Sequence, residues 1–168
     1  KVVGLQGNPV SATAPVYGAM FAWSGTEWYP YPHAYGAFVS RVTQSIPAFA
    51  SNTPLAAAAE VTTLVDGVTV ASDGTHLNRF TVPTDGIYEI TFSAQATISS
   101  GTNTTFYNWL RHNGSDVPDS NSEWELGNNH KASIPYDSIL LNMKANDYVQ
   151  WMFAVDTTAA TPTLLATA

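Results

Sequence analysis

The sequence contains no cysteine and few basic residues, and both shortages narrow what the protein can do. Because it has zero cysteines, disulfide frameworks, thiolate metal sites and thiol nucleophiles are excluded. Lysine and arginine together number 6, against 13 acidic residues, which gives a formal net charge of −7. No basic stripe is therefore available to neutralise a phosphate backbone or an anionic membrane, and no nucleic acid is predicted as a partner.

Charged residues and long apolar runs are also scarce. Only 11% of the residues are charged, compared with about 25% in ordinary soluble domains, whereas 12% are aromatic. No run approaches the ~20 apolar residues that span a bilayer, so no membrane insertion is predicted. The segment 1–15 lacks the apolar centre of a signal peptide. Because the chain starts at Lys1, we interpret it as the end piece of a longer protein or as a processed product.

Alternating side chains predict one long strand from Gly86 onward. Tyr88, Ile90 and Phe92 fall on one side of an extended chain, and Glu89 and Thr91 fall on the other. Similar runs recur at short spacing and predict an all-β sandwich or barrel. The predicted runs are 36–42, 60–65, 68–71, 77–82, 86–98, 104–111, 137–143, 147–155 and 161–167.

Four dipeptides between these runs tolerate positive φ and predict turns, namely Asp66-Gly67, Asp73-Gly74, Asp85-Gly86 and Asn113-Gly114. The alanine-rich segment 54–61 has the highest helix propensity in the chain. It is short and follows a proline, so we expect at most one helical turn or an extended run. A helix is the alternative.

The first thirty or so residues differ from the remainder. They are rich in Gly, Pro, Ser and Ala, and Trp23 and Trp28 flank a turn at Ser24-Gly25. A segment this short cannot bury its aromatic side chains alone. We therefore divide the chain into an N-terminal stalk or neck segment, 1–33, and one main domain, 34–168.

Two strands carry apolar side chains on both faces. In 148–155, Trp151 and Phe153 line one face and Tyr148 and Met152 line the other, and 106–110 shows the same pattern. One face of a sandwich strand packs on the core, so a second apolar face needs another cover. A neighbouring subunit would supply it, in either a trimer or a dimer.

The stretch RFTVPTDGIYEITFSA resembles a signature of the C1q/TNF-like jelly rolls. In that family a Phe-x-x-Pro-x-x-Gly-x-Tyr pattern joins two strands, and here Phe80, Pro83, Gly86 and Tyr88 carry it. The stretches 36–42, 109–117 and 141–153 resemble further strands of the family in the same order. The resemblance implies an antiparallel jelly-roll sandwich, but it fails across 43–77, so the family's binding surface is not transferable.

A second resemblance concerns the N-terminal segment. GLQGNPV and Trp-x-Gly-x-x-Trp-x-Pro, carried by 4–10 and 23–30, are similar to linkers ahead of distal domains in bacteriophage tail-fibre and capsid-fibre proteins. Together the resemblances imply a homotrimeric fibre head on the virion surface, joined to other virion proteins through the stalk. The expected trimer-interface residues are Tyr148, Trp151, Met152, Phe153, Tyr107, Trp109, Trp23 and Trp28.

The polar stretch 112–131 is the candidate for binding a host-surface glycan or protein receptor. It is rich in Asn, Ser and Asp, and Trp124 could stack on a sugar ring beside Glu123, Glu125 and Asn128. The alternative is a loop at the trimer edge with Trp124 as a structural anchor. The acids Asp116, Asp119, Glu123 and Glu125 do not match an EF-hand loop, so no metal is predicted.

Catalysis is not predicted. The four histidines, His33, His76, His112 and His130, lie outside known catalytic motifs, and no cofactor is expected. The predicted function is therefore a non-enzymatic fibre head that attaches to a host receptor. The alternatives are a capsid decoration protein, a secreted bacterial adhesin or lectin, and a glycan-cleaving enzyme that uses Glu123 or Glu125.

Overall fold

The computed structural model of the chain describes residues 4–5, 8–11, 20–31, 34–49, 55–58, 60–99, 103–127, 131–133, 137–159 and 161–166. All the elements named in these ranges are β-strands, which confirms the all-β prediction. Within the same ranges, no helix is long and apolar enough to cross a membrane. The strands are β1 (Gly4–Leu5), β2 (Asn8–Pro9), β3 (Met20–Trp23), β4 (Trp28–Tyr31), β5 (Tyr35–Val39), β6 (Gln44–Ser45), β7 (Leu55–Ala56), β8 (Glu60–Asp66), β9 (Thr69–Ser72), β10 (Leu77–Thr81), β11 (Gly86–Phe92), β12 (Gln95–Thr97), β13 (Thr104–His112), β14 (Ser115–Asp116), β15 (Ser122–Leu126), β16 (Lys131–Ser133), β17 (Asp137–Met143), β18 (Tyr148–Val155) and β19 (Thr163–Leu164).

The largest sheet has β13 and β18 at its centre, paired antiparallel from Phe106↔Val155 to His112↔Val149. Its order is β14, β13, β18, β10, β9, and β15 pairs with the half of β13 that β14 does not reach. β7 pairs with β18 at Met152↔Ala56 and Phe153↔Leu55. We call this set of strands the main sheet.

The second layer is built from two smaller antiparallel sheets. β11 pairs with β17 along its whole length, from Gly86↔Met143 to Phe92↔Asp137. The other sheet has the order β16, β12, β19, β6, and only Ser93 and Ala94 separate β11 from β12 along the chain. The chain therefore passes from the β11–β17 sheet directly into the other sheet of the same layer.

The core lies where the two layers meet. Phe92 of the second layer packs against Trp151 and Phe153 of the main sheet, with ring centroids 5.0 and 5.3 Å apart. Phe106, Leu110 and Phe153 are fully buried in this cluster. Because each such side chain contributes roughly 1.5–3 kcal/mol on burial, this cluster stabilises the packing of one layer on the other.

The second apolar face of β18 is also buried within the single chain. Trp109, Met152 and Ala56 lie in register across β13, β18 and β7, and the exposed fraction of Met152 is 2%. The amide of Gln44 holds the segment 56–58 in place, accepting a hydrogen bond from the Ala58 N–H at 2.7 Å and donating one to the Ala56 carbonyl at 3.4 Å. Over this stretch, the single chain therefore already buries the apolar face for which the sequence pattern predicted a neighbouring subunit.

Six of the nine predicted strands are present with bounds that shift by at most one residue, but five details differ. The run 36–42 ends three residues early, as β5, Tyr35–Val39. The run 86–98 divides into β11 and β12, and the run 161–167 contains only β19, Thr163–Leu164. The stretch 122–126, predicted as loop, is strand β15. The segment 54–61 is extended where described, as β7 and the start of β8, so the helical alternative is wrong there.

The predicted turns agree with the backbone at three of four positions. Gly67, Gly74 and Gly114 have positive φ of 75°, 107° and 83°. Asn113 also has positive φ, at 48°, which gives the Asn-Gly hairpin turn between β13 and β14 its twist. Gly86 instead begins β11 with an extended backbone.

Candidate functional site

The candidate site is a groove on the outer face of the main sheet. Side chains alternate along β13, so Phe106 and Leu110 point into the core while Tyr107 and Trp109 point outward. The groove has a volume of about 360 Å³, at the small end of the roughly 300–1,000 Å³ typical of ligand sites. Its described lining residues are Phe49, Tyr107, Trp109, Asp116, Val117, Pro118, Asp119 and Asn121.

Phe49 is the most exposed aromatic ring of the groove. Its exposed fraction is 60%, and its ring centroid lies 5.8 Å from that of Tyr107 and 6.0 Å from that of Trp109. The segment before it is fixed to the sandwich, because the Ile46 N–H donates to the Pro162 carbonyl and the Pro47 carbonyl accepts from the Val155 N–H. A held ring that remains mostly exposed is available to a ligand.

The polar rim of the groove is fastened to β13 by buried hydrogen bonds. The Val117 N–H donates to the Leu110 carbonyl at 2.9 Å. The buried hydroxyl of Ser120 accepts from the Leu110 N–H at 3.0 Å and donates to the Val117 carbonyl at 2.7 Å. Loops held on a rigid sheet bind with little ordering cost, so this rim is preorganised for recognition.

Asp116 links the rim to the aromatic floor. Its Oδ1 accepts from the Trp109 indole Nε1–H at 2.7 Å and from Arg111 Nε at 2.8 Å. Partial burial acts to raise the pKa of Asp116, but the hydrogen bonds from Arg111 and Trp109 and the charge of Arg111 outweigh it and hold this pKa below its usual range. The carboxylate therefore stays ionised at neutral pH and fixes the orientation of the indole.

Two further residues line the groove and have free hydrogen-bonding capacity. Asp119 and Asn121 are exposed, and within the described ranges neither side chain takes part in a hydrogen bond. Asp119 has φ of 57°, a left-handed conformation that Asp and Asn adopt more readily than most residues. Aromatic rings beside free carboxylate and amide groups suit a ligand that has both a hydrophobic face and polar substituents.

The residues predicted to bind a receptor divide between the two faces of β15. Trp124 points inward and stacks on Phe106, with centroids 5.3 Å apart and planes 23° apart. Glu123 and Glu125 lie on the opposite, exposed face, where Glu125 accepts a hydrogen bond from the Asn103 amide at 2.8 Å. Trp124 therefore offers no stacking surface beside the two glutamates, and its alternative role as a structural anchor matches this placement. Asn128 lies outside the described residues.

The residues predicted to form a trimer interface lie in different environments. Trp151, Met152 and Phe153 have exposed fractions of 3%, 2% and 0%, so they are buried within the single chain. Tyr107 and Trp109 belong to the groove. Tyr148 is half-buried under the Arg79 guanidinium, 5.1 Å from its ring centroid.

The two N-terminal tryptophans form a cross-strand pair. β3 and β4 form a hairpin in which Trp23 pairs with Trp28, their ring centroids 5.5 Å apart, around the predicted turn at Ser24-Gly25. Trp23 remains 42% exposed. Trp23 is thus more exposed than Trp109, Trp151, Met152 and Phe153 of the predicted interface set.

His112 and Asp147 form structural contacts with each other and with their neighbours. His112 Nε2 lies 2.9 Å from Asp147 Oδ2, and Asp147 also accepts from the Asn113 amide at 2.6 Å. His33 and His130 lie outside the described residues. Within the described part of the chain, no group of three His, Asp or Glu side chains could hold a metal ion.

The groove brings together Phe49 and three residues of the stretch 112–131, namely Asp116, Asp119 and Asn121. It does not include Trp124, Glu123 or Glu125, and the predicted receptor role of these residues stays a prediction. Phe49 was missed because it lies outside any predicted strand, and nothing in its local sequence indicates that it meets β13. No protein-family model matches the chain, and no curated protein sequence matches it.

Proposed function

We propose that the chain is a non-enzymatic recognition head of a bacteriophage fibre and that it binds carbohydrate on the host surface through the groove. The single observation that carries the binding role is the exposed ring of Phe49, held against Tyr107 and Trp109 beside the free polar groups of Asp119 and Asn121. A pyranose has an apolar face that stacks on aromatic rings and an edge of hydroxyls that bonds to carboxylates and amides.

The path of the chain supports the finer fold proposal, a C1q/TNF-like jelly roll. The strands cross repeatedly between the layers: β10 lies in the main sheet, β11 in the second layer, β13 in the main sheet, β17 in the second layer and β18 in the main sheet. Two layers linked by such crossings are the arrangement of a jelly roll. The signature resemblance falls on one crossing, since Phe80 lies in β10 and Tyr88 in β11.

The arrangement of carboxylates supports recognition over glycan cleavage. A glycosidase needs two carboxyl groups on opposite sides of the scissile bond. Glu123 and Glu125 lie side by side on one exposed face of β15, and neither lines the groove. A capsid decoration protein with no receptor would have no use for the groove, and the linker resemblance at 4–10 and 23–30 favours a virion over a secreted adhesin.

The fibre-head proposal includes a trimer, which needs a surface other than β18. The outer face of the β11–β17 pair has the two highest exposed fractions among the large hydrophobic side chains described, 75% at Ile87 and 71% at Leu140. These side chains lie on one face, because Glu89 is opposite Leu140 and Ile87 is opposite Asn142. We assign this face to the neighbouring copy.

The groove proposal is tested by nuclear magnetic resonance of the five tryptophan indoles while a panel of methyl pyranosides is added at millimolar concentration. Binding should shift the Trp109 indole signal, because its N–H is bonded to the rim at Asp116. The signals of Trp124 and Trp151, which pack in the core, serve as internal controls. A panel in which no pyranoside moves the Trp109 signal would overturn the carbohydrate proposal.

The trimer proposal is tested by light scattering of the purified chain. We expect a mass of about three chains, and a single-chain mass for the double variant Ile87→Lys, Leu140→Glu, whose opposite charges keep the overall net charge. The matched control is Thr69→Lys, which places a charge at an exposed position of β9 in the main sheet. A wild-type monomer, or a double variant that remains trimeric, would contradict this assignment.

A further inference from the structure

The charge around the groove points to the kind of carbohydrate that it selects. Asp116 and Asp119 both line it, and Arg111 donates its Nε–H to Asp116. The Asp119 carboxylate has no hydrogen-bond partner among the described residues. After the Arg111–Asp116 pair is set aside, one negative charge remains at the rim and faces the space that a ligand would fill.

The aromatic floor has the same electrostatic preference. The face of an aromatic ring is the negative end of its quadrupole, and it attracts ammonium groups that approach within about 6 Å. Phe49 presents most of its surface, and Tyr107 and Trp109 lie within 6.0 Å of it, centroid to centroid. A cation above these rings would therefore be favoured by the ring faces and by Asp119 at once, whereas an anion would be opposed by both.

We infer that the groove recognises an amino sugar whose amino group is free and protonated, and that it discriminates against sugars bearing a carboxylate. This inference rests on the proposed carbohydrate-binding function and narrows its ligand. The pyranose ring stacks on Phe49, and the ammonium group lies against the Asp119 carboxylate. The formal net charge of −7 over the whole chain acts in the same direction, since it opposes the approach of polyanionic surfaces.

The test compares three methyl glycosides that share the gluco-pyranose ring. Methyl glucosaminide, with a free amine, and its N-acetylated form, which is neutral, differ only at C2, whereas methyl glucuronide has a hydroxyl at C2 and a carboxylate at C6. Affinity is followed by the Trp109 indole signal. We expect the amine to bind about fivefold more tightly than the neutral form, the size of an exposed charge pair, and the glucuronide to bind most weakly.

Asp119→Asn is the decisive variant, because asparagine tolerates the φ of 57° and has nearly the same shape while removing the charge. It should abolish the preference for the amine, so that the amine and the N-acetylated sugar bind to the variant within about twofold of each other. The matched control is Glu89→Gln, which removes one exposed negative charge from the outer face of the other layer and retains an acceptor for Ser138. Raising the salt concentration should weaken the amine preference in the wild type alone.

The outcomes separate this inference from the function on which it rests. If the neutral and amine sugars bind equally, or if Asp119→Asn retains the preference, the charge assignment is wrong while carbohydrate binding stands. If none of the three sugars, nor any other pyranoside of the panel, moves the Trp109 signal, the proposed function itself fails. If the glucuronide binds most tightly, the selectivity has the opposite sign and the inference is overturned.

Discussion

Replacing Phe49 with alanine should separate ligand binding from folding. About two-fifths of this side chain is covered, since 60% is exposed, and a phenylalanine has roughly 200 Å² to bury. At about 25 cal/mol per Å², the lost burial costs the folded state about 1–2 kcal/mol. A sugar that covers about 60 Å² of the exposed ring face contributes about 1.5 kcal/mol through it, so the variant should bind roughly tenfold more weakly.

Two measurements on the same samples check this prediction. Urea denaturation gives the free energy of unfolding, and titration with methyl glucosaminide, followed by the Trp109 indole signal, gives the affinity. Leu64→Ala is the matched control, because it removes an apolar side chain of similar exposure, 62%, that does not line the groove. The reasoning would be refuted by a Phe49→Ala variant that is destabilised as expected but binds the sugar as the wild type does.

Three further predictions concern the stability of the folded chain. Phe153→Ala, at 0% exposure, should lower the free energy of unfolding by about 3–5 kcal/mol in urea denaturation, and a loss below about 1 kcal/mol would contradict its central place in the core. Gln44→Ala removes both hydrogen bonds that hold 56–58, so hydrogen exchange at the Ala58 amide should accelerate while amides in β11 remain protected. Backbone hydrogen bonds, followed by side-chain hydrogen bonds, lower the pKa of Asp85 and of Asp147 from 3.8. The stability that such groups contribute is complete above the unfolded pKa and is lost as pH falls through the folded pKa. The melting temperature should therefore drop below about pH 4, and it should drop less steeply in Asp147→Asn.

The strands and turns of the fold could largely be predicted from the sequence because two signals coincide. Period-two alternation marks one buried face, as in Tyr88, Ile90 and Phe92, and residues that tolerate positive φ mark where strands reverse, as at Asn113-Gly114. β15 was missed because its flanks are rich in Ser, Asn and Asp. Its alternation, Trp124 and Leu126 inward against Glu123 and Glu125 outward, is clear only once the pairing with β13 is known.

The groove was less predictable because it depends on contacts between distant segments. Phe49 meets Tyr107 and Trp109, which lie more than fifty residues further along the chain, and no local pattern encodes that meeting. The aromatic pair on β13 was visible as an outward apolar face. Periodicity shows that such a face needs a cover, but it does not say which part of the chain supplies the cover.

The apolar outer faces of β13 and β18, the central strands of the main sheet, produce the same sequence pattern for two different reasons. The apolar outer face of β18 is buried within the single chain, where Met152 lies beside Ala56 of β7 and has an exposed fraction of 2%. The neighbouring outer face of β13 ends in Phe49, whose ring is held in place yet mostly exposed. The folded state loses little free energy by exposing a ring that buried neighbours already fix, and it loses no more when a ligand covers that ring. The asymmetry between a closed face and an open one, on adjacent strands of one sheet, is therefore the physical reason to look for a ligand at Phe49 and for a neighbouring copy elsewhere.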